Sequence, residues 1–278
     1  MCTLLAWSQT SRGGTMRIAA NLTMLFREYD FFERFDRAAE AGFTGVEFFF
    51  PYAHDLGRIA DAVERNDLQL VLFNLPVGDW DAGERGYVAQ AGREAEFRGD
   101  LARAVAAIER LHPLRVNTPS GPAPQDAESR STLVANLTAA AAAVNAAGAG
   151  LVVEPINRDD VPGAYIHTVA EGVAVLDEVG SPGAGIQYDV YHSLRAAEDP
   201  FAVLDAYAHR IHHIQISDVP GRHEPGTGGF DFDRFFAKLE ASVYDGWVSL
   251  EYHPEDSTAD SFRYFRERGL LGGDRQRA

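Results

Sequence analysis

The chain holds a single cysteine, Cys2, in 278 residues. That excludes an intramolecular disulfide and a thiolate metal cluster, and it fits a reducing, cytoplasmic setting. No apolar run approaches the roughly 20 residues of a membrane-spanning helix. Basic residues are scarce: 25 Lys and Arg stand against 41 Asp and Glu, a formal net charge of −16. A field of that sign repels phosphate backbones, so no nucleic acid is expected as partner. An anionic substrate would need a local pocket of metal and arginine. Glycine is missing where a doubly wound nucleotide-binding sheet would need it: the first apolar run leads into Asn21-Leu22-Thr23-Met24-Leu25. The first fifteen residues lack positive charge ahead of their apolar patch and lack a small-residue cleavage site. They are read as a disordered extension, with the domain opening at Met16.

What is present is the balance of a soluble globular domain, 46% hydrophobic and 24% charged. A chain of this length buries about three quarters of its unfolded surface and needs no staple. Short β-rich runs recur at Arg17–Leu22, Gly45–Phe50, Gln69–Leu75, Leu114–Thr118, Gly150–Ile156, Gly185–Val190, His212–Ser217 and Gly246–Tyr252. Segments of helical period lie between them, as in 29–41, the alanine-rich 133–147 and 231–239. Glycines at 42, 148 and 180 mark helix ends. Eight strand–helix alternations without a break predict one (β/α)₈ TIM barrel over residues 16–268, with a frayed tail at 269–278. The irregular stretch 76–93 falls at the C-terminal rim, where such barrels build their sites.

Four polar residues interrupt the later apolar runs near their C-terminal ends: Glu154, Asp189, Gln215 and Glu251. An unpaired charge at such a place costs several kcal/mol, or holds a proton. Their spacings of 35, 26 and 36 residues are those of strand–helix units, so all four reach one rim. Two Glu, one Asp and one amide supply hard oxygen donors, which suit Mg²⁺ or Mn²⁺ better than zinc. His192, three residues after Asp189, is placed to bond a substrate oxygen or a ligand. Arg222, in the loop after the seventh run, is suited to hold a carboxylate substrate or Glu251. Tyr52, Trp80 and Tyr87 are candidates for a homo-oligomer contact or for the mouth of the site.

The motifs Glu154-Pro-Ile-Asn, Gln187-Tyr-Asp-Val-Tyr-His, Gln215-Ile-Ser, Glu224-Pro-Gly-Thr-Gly and Glu251-Tyr resemble those of the hydroxypyruvate isomerase family. Ala20-Asn-Leu-Thr-Met-Leu-Phe, Val46-Glu-Phe-Phe-Phe-Pro-Tyr and the long Asn74-Leu-Pro-Val-Gly-Asp-Trp-Asp-Ala-Gly-Glu-Arg-Gly agree, so the match runs from about Met16 to Phe265. The resemblance implies Glu154 and Glu251 as the acid/base pair, with Asp189 and Gln215 completing a divalent metal site. It implies substrate contacts at His192, Arg222, Asn74, Trp80 and Arg85, with Arg222 or Arg85 neutralising the substrate carboxylate. The implied reaction interconverts hydroxypyruvate and 2-hydroxy-3-oxopropanoate through an enediolate, a step of glyoxylate or sugar-acid metabolism. A 2-oxo-tetronate isomerase is the near alternative, followed by a neutral-ketose 3-epimerase. A barrel endonuclease would instead need several histidine ligands and a basic rim. Phe73 stands where this family would have histidine.

Overall fold

The apolar runs become strands buried on both faces, as continuous Val/Ile/Leu-rich segments require when helices cover the outside. In this computed structural model residues 16–272 are described; the extension expected at 1–15 lies outside them, as do residues 273–278. The elements alternate throughout: β1 (Arg17–Asn21), α1 (Glu33–Ala41), β2 (Gly45–Glu47), α2 (Leu56–Arg65), β3 (Gln69–Asn74), α3 (Glu94–Leu111), β4 (Arg115–Asn117) and α4 (Ala127–Ala146). The second half continues with β5 (Gly150–Val153), α5 (Val169–Val179), β6 (Ala184–Asp189), α6 (Val190–Arg195), α7 (Pro200–Tyr207), β7 (Ile211–Ile216), α8 (Phe232–Glu240), β8 (Trp247–Leu250), α9 (Thr258–Ser261) and α10 (Arg263–Glu267). Each strand pairs in parallel with the next, and β8 returns to β1, closing one (β/α)₈ barrel as expected.

Helix starts follow capping chemistry. The side chains of Asp55, Asp126, Thr168, Asp199 and Asp231 each accept a backbone N–H in the first turn of the helix they open. Asp126 carries α4 six residues further back than its alanine-rich stretch suggests. Ala19, Val71, Leu72, Val152 and Trp247 form one apolar cluster. Residues on β1, β3 and β5, which do not pair with one another, can meet only across the barrel, so the interior is a packed plug and the chemistry is left to its rim.

The rim loop 76–93 is irregular, as expected, until α3 begins. It is locked to the loop after β4 by backbone-to-backbone contact. Gly86 (φ 105°) and Gly121 (φ 71°) face each other, and a Cβ on Gly121 would collide with the Gly86 carbonyl. Leu271 is buried at 3% exposure, so the packed body runs past the boundary expected at 268. The apolar Leu270-Leu271 pair returns to the core instead of fraying. Among the described residues no helix is long and apolar enough to cross a membrane.

Candidate active site

Every strand delivers a polar side chain at its C-terminal end. Asn21, Glu47, Asn74, Asn117 and Asp189 end β1, β2, β3, β4 and β6; Gln215 is the penultimate residue of β7; Glu154 and Glu251 follow β5 and β8 directly. All but Asn74 are buried. Parallel strands in register bring these eight positions to one level, and a cavity of about 620 Å³ opens above them.

Glu154, Asp189 and Glu251 share this floor with one cation. Arg222 Nη2 donates to Glu251 Oε2 at 2.6 Å and to Asp189 Oδ2 at 3.0 Å. Its guanidinium also lies over the Tyr191 ring at 4.7 Å. Arg222 itself sits in the left-handed region (φ 55°), and its carbonyl accepts the His253 N–H at 2.9 Å, tying the β7 loop to the β8 loop. Glu154 Oε2 accepts from Asn117 Nδ2 at 2.9 Å, and the same nitrogen reaches Asn74 Oδ1 at 3.2 Å. Asn74 thus enters the site through Asn117 as well as by lining the cavity.

Burial is the main force on these carboxyls. It pushes Glu154 up to about 8, with the Asp189 charge adding to the effect. Glu251 is raised well above the carboxylate range by burial against the opposing pull of Arg222, and Asp189 is raised for the same reasons. Burial works against the Arg222 guanidinium, but Glu251, Asp189 and Glu154 outweigh it and hold it protonated.

Four residues at the floor were not picked out from the sequence as site residues: Asn117, which bonds Glu154, and Glu47, His213 and Asn21. Glu47 Oε2 meets His213 Nε2 at 2.7 Å, and its Oε1 accepts from Gln215 Nε2 at 2.7 Å and Asn21 Nδ2 at 2.8 Å. Burial alone would raise Glu47, yet His213 and these amides outweigh it and hold it below its ordinary value. Asn21 Nδ2 and Gln215 Nε2 also reach Glu251 Oε1, at 3.0 and 3.1 Å. Two amide groups therefore bridge the carboxylates of β2 and β8. The signal that singled out Glu154 and Glu251, a polar residue ending an apolar run, was present in β1, β2 and β4 as well.

His192 has its role set by a neighbour. Asn157 Oδ1 accepts the N–H groups of Asp159 and Asp160, which turns Asn157 Nδ2 toward His192 Nδ1 at 2.6 Å. With Nδ1 accepting, the ring proton sits on Nε2, 3.6 Å from Asp189 Oδ2 and 3.9 Å from Glu154 Oε1. Burial, then the charges of Arg222 and Arg195, hold this imidazole neutral, well below its ordinary pKa. His192 thus turns its Nε2–H toward the floor of the site, beyond hydrogen-bond distance of either carboxylate.

The residues fit a hard divalent cation. Ligand atoms of Glu154, Asp189 and His192 lie within 4.8 Å of one another, but the Nε2–H tautomer leaves the histidine without a lone pair facing the cluster. The carboxylates remain: three of them, each with raised proton affinity, against one guanidinium. Gln215, as found, turns nitrogen toward Glu251 while its oxygen accepts from Gln187 Nε2 at 2.6 Å. Gln187 Oε1 is buried without a partner. It would receive Gln215 Nε2 if both amides turned over, freeing Gln215 Oε1 for a cation.

At the mouth, Trp80 (41% exposed) packs near Phe49 and Phe50, with Arg85 over its ring at 3.8 Å. Trp80 and Arg85 line the cavity. Phe73 does not: it is fully buried, edge-on to Tyr52, so the missing histidine leaves the cavity unchanged. Tyr87, expected at an exposed contact, is 1% exposed and bonded to Asp100.

The profile of the xylose isomerase-like TIM barrels matches residues 35–268. The chain is 41% identical to hydroxypyruvate isomerase of Escherichia coli (strain K12) over 90% of its length and 98% of that protein's. It is 39% identical to 2-oxo-tetronate isomerase of Cupriavidus necator over 87% of its length and 95% of that protein's. The crystal structure of AP endonuclease, family 2 from Brucella melitensis superposes with a TM-score of 0.87 at 37% identity, covering 91% of this chain and 98% of that one. The chain belongs to the hydroxypyruvate isomerase family of these barrels, and it is an isomerase.

Proposed function

We propose that this isomerase acts on a small hydroxy-keto acid and interconverts hydroxypyruvate and 2-hydroxy-3-oxopropanoate. The observation that carries the reading is the pair of buried glutamates, Glu154 and Glu251, facing one cavity from β5 and β8. Moving a hydrogen between adjacent carbons needs two acid/base groups around a planar enediolate. One glutamate takes a proton from the hydroxymethyl carbon, and the other delivers one to the neighbouring carbon. The hydroxyl proton passes from one oxygen to the other, so the product is an isomer with no redox partner. Burial raises the proton affinity of both carboxyls, and Arg222 opposes that rise at Glu251. His192 offers its Nε2–H to a substrate oxygen, while Trp80, Phe49 and Phe50 shield the mouth from water. Glu154, Asp189, Glu251 and Gln215 would hold Mg²⁺ or Mn²⁺, which would supply Lewis-acid polarisation of the carbonyl.

The relative in C. necator favours a second reading, a four-carbon 2-oxo-tetronate, and a cavity of about 620 Å³ has room for it. The net charge of −16 speaks against a DNA substrate, whatever the B. melitensis neighbour cleaves. Turnover of hydroxypyruvate and 2-oxo-tetronate, measured side by side with Mg²⁺ or Mn²⁺ and then with chelator, tests the assignment. Preference for the three-carbon acid supports the first reading and preference for the four-carbon acid the second. Turnover of neither would defeat both.

A further inference from the structure

Four arginines line the cavity: Arg27, Arg34, Arg85 and Arg222. Three are committed. Arg222 is held by Asp189 and Glu251. Arg34 donates to the carbonyls of Tyr29 at 3.0 Å and Leu22 at 2.8 Å. Arg85 donates to the carbonyls of Trp80 at 3.0 Å and Glu84 at 2.7 Å while stacking on the Trp80 ring. Arg27 differs. It is exposed, in the turn that follows β1, and makes no hydrogen bond, ion pair or ring contact among the described residues.

Its surroundings hold a second guanidinium, that of Arg34, together with the carboxylates of Glu28 and Asp30, and neither carboxylate pairs with Arg27. The Arg34 pKa is lowered by burial and then by Arg27. That of His253, also on the cavity wall, is lowered by burial, Arg222 and Arg27. In a chain of net charge −16, with acidic partners plentiful elsewhere, an arginine left unpaired beside a second arginine at a cavity mouth is an anion site with its counter-charge missing. Thr23 and Met24, between β1 and Arg27, line the same cavity.

We propose that Arg27 receives the substrate carboxylate and so sets the preference for acids over neutral ketoses. This rests on the reading of the site as a hydroxy-keto acid isomerase. It replaces Arg222 and Arg85, the two residues expected in that role from sequence, because both already have partners. A guanidinium with all its donors free binds a carboxylate through either edge, whereas Arg222 has its Nη2 committed to two carboxylates and Arg85 has its Nη1 committed to two carbonyls and one face to the Trp80 ring.

The test uses the full chain and its Arg27→Met and Arg27→Lys variants, with hydroxypyruvate, the neutral dihydroxyacetone, and D-glycerate as a carboxylate that cannot isomerise. Arg27→Met should raise KM for hydroxypyruvate roughly tenfold or more, with a much smaller change in kcat, and weaken calorimetric binding of D-glycerate by a similar factor. Arg27→Lys should recover part of both, and any dihydroxyacetone turnover should be indifferent to either change. Unchanged KM and unchanged D-glycerate binding in Arg27→Met would overturn the assignment. Arg27-dependent D-glycerate binding in a protein that turns over no hydroxy-keto acid would uphold the carboxylate site and sink the proposed reaction instead.

Discussion

Glu47 Oε2 lies 2.7 Å from His213 Nε2, and neither side chain is more than 1% exposed. The pair sits below the site and touches it through shared donors, since Asn21 and Gln215 each span Glu47 and Glu251. Breaking one partner of such a buried pair costs about 3–5 kcal/mol. Glu47→Gln should therefore lower thermal stability by that order. It should also lower kcat well below the wild-type value at a temperature where the variant is fully folded, because the two amides that orient Glu251 are anchored on the Glu47 carboxylate. A folded variant with wild-type kcat would show that Glu251 needs no such support.

Arg222 touches both Asp189 and Glu251 through one nitrogen, and its removal leaves two buried carboxylates uncompensated. Arg222→Ala should depress kcat by about 10²–10³, the scale seen when a preorganised charged donor is lost. Because the guanidinium is already occupied, KM for the acid substrate should move little. Steady-state kinetics separate this from the behaviour expected of Arg27→Met. A raised KM with kcat intact would return the substrate carboxylate to Arg222.

The barrel was legible because eight apolar runs and their intervening helical periods leave no other closed parallel arrangement. Glu154, Asp189, Gln215 and Glu251 were legible because a polar residue ending a buried strand demands a partner. What the order of residues does not carry is the choice among partners. Arg222 reads from sequence as a holder of a substrate carboxylate or of Glu251; it holds Glu251, and its engagement by Asp189 as well depends on a left-handed turn. The Glu47–His213 pair joins β2 to β7 across the barrel, a relation invisible until the strands close. The same blindness hid where Phe73, standing in place of a histidine, would point: the alternation along β3 buries it and leaves Asn74 at the cavity.

Glu154→Gln keeps the shape of the side chain, removes its charge and leaves the Asn117 amide a carbonyl oxygen to bond. The Coulombic strain with Asp189 disappears as well. Turnover should fall by about 10²–10⁴, the contribution of a positioned acid/base group. The thermal midpoint of the metal-free protein at pH 8 should stay level or rise. Retained turnover would remove Glu154 from the chemistry.

Metal removal and pH are linked through the same carboxyls. Glu154 is moved from its ordinary 4.5 to about 8 in the fold, and Asp189 and Glu251 are also raised. In metal-free protein the folded state thus keeps protons that the unfolded chain gives up above about pH 4.5. The stabilisation is complete below that value and is lost as pH climbs through about 8, on the order of a few kcal/mol for Glu154. Calorimetric scans of chelated protein should show the midpoint falling between about pH 5 and pH 8. Mg²⁺ or Mn²⁺ should restore it more at the upper end than at the lower, because the cation competes with protons for the same oxygens. The Glu154→Gln variant should show a flatter decline. If the chelated wild type instead grew more stable across this window and added cation changed nothing, the carboxyls would be ionised by protein groups alone, and the cluster would not be a cation site.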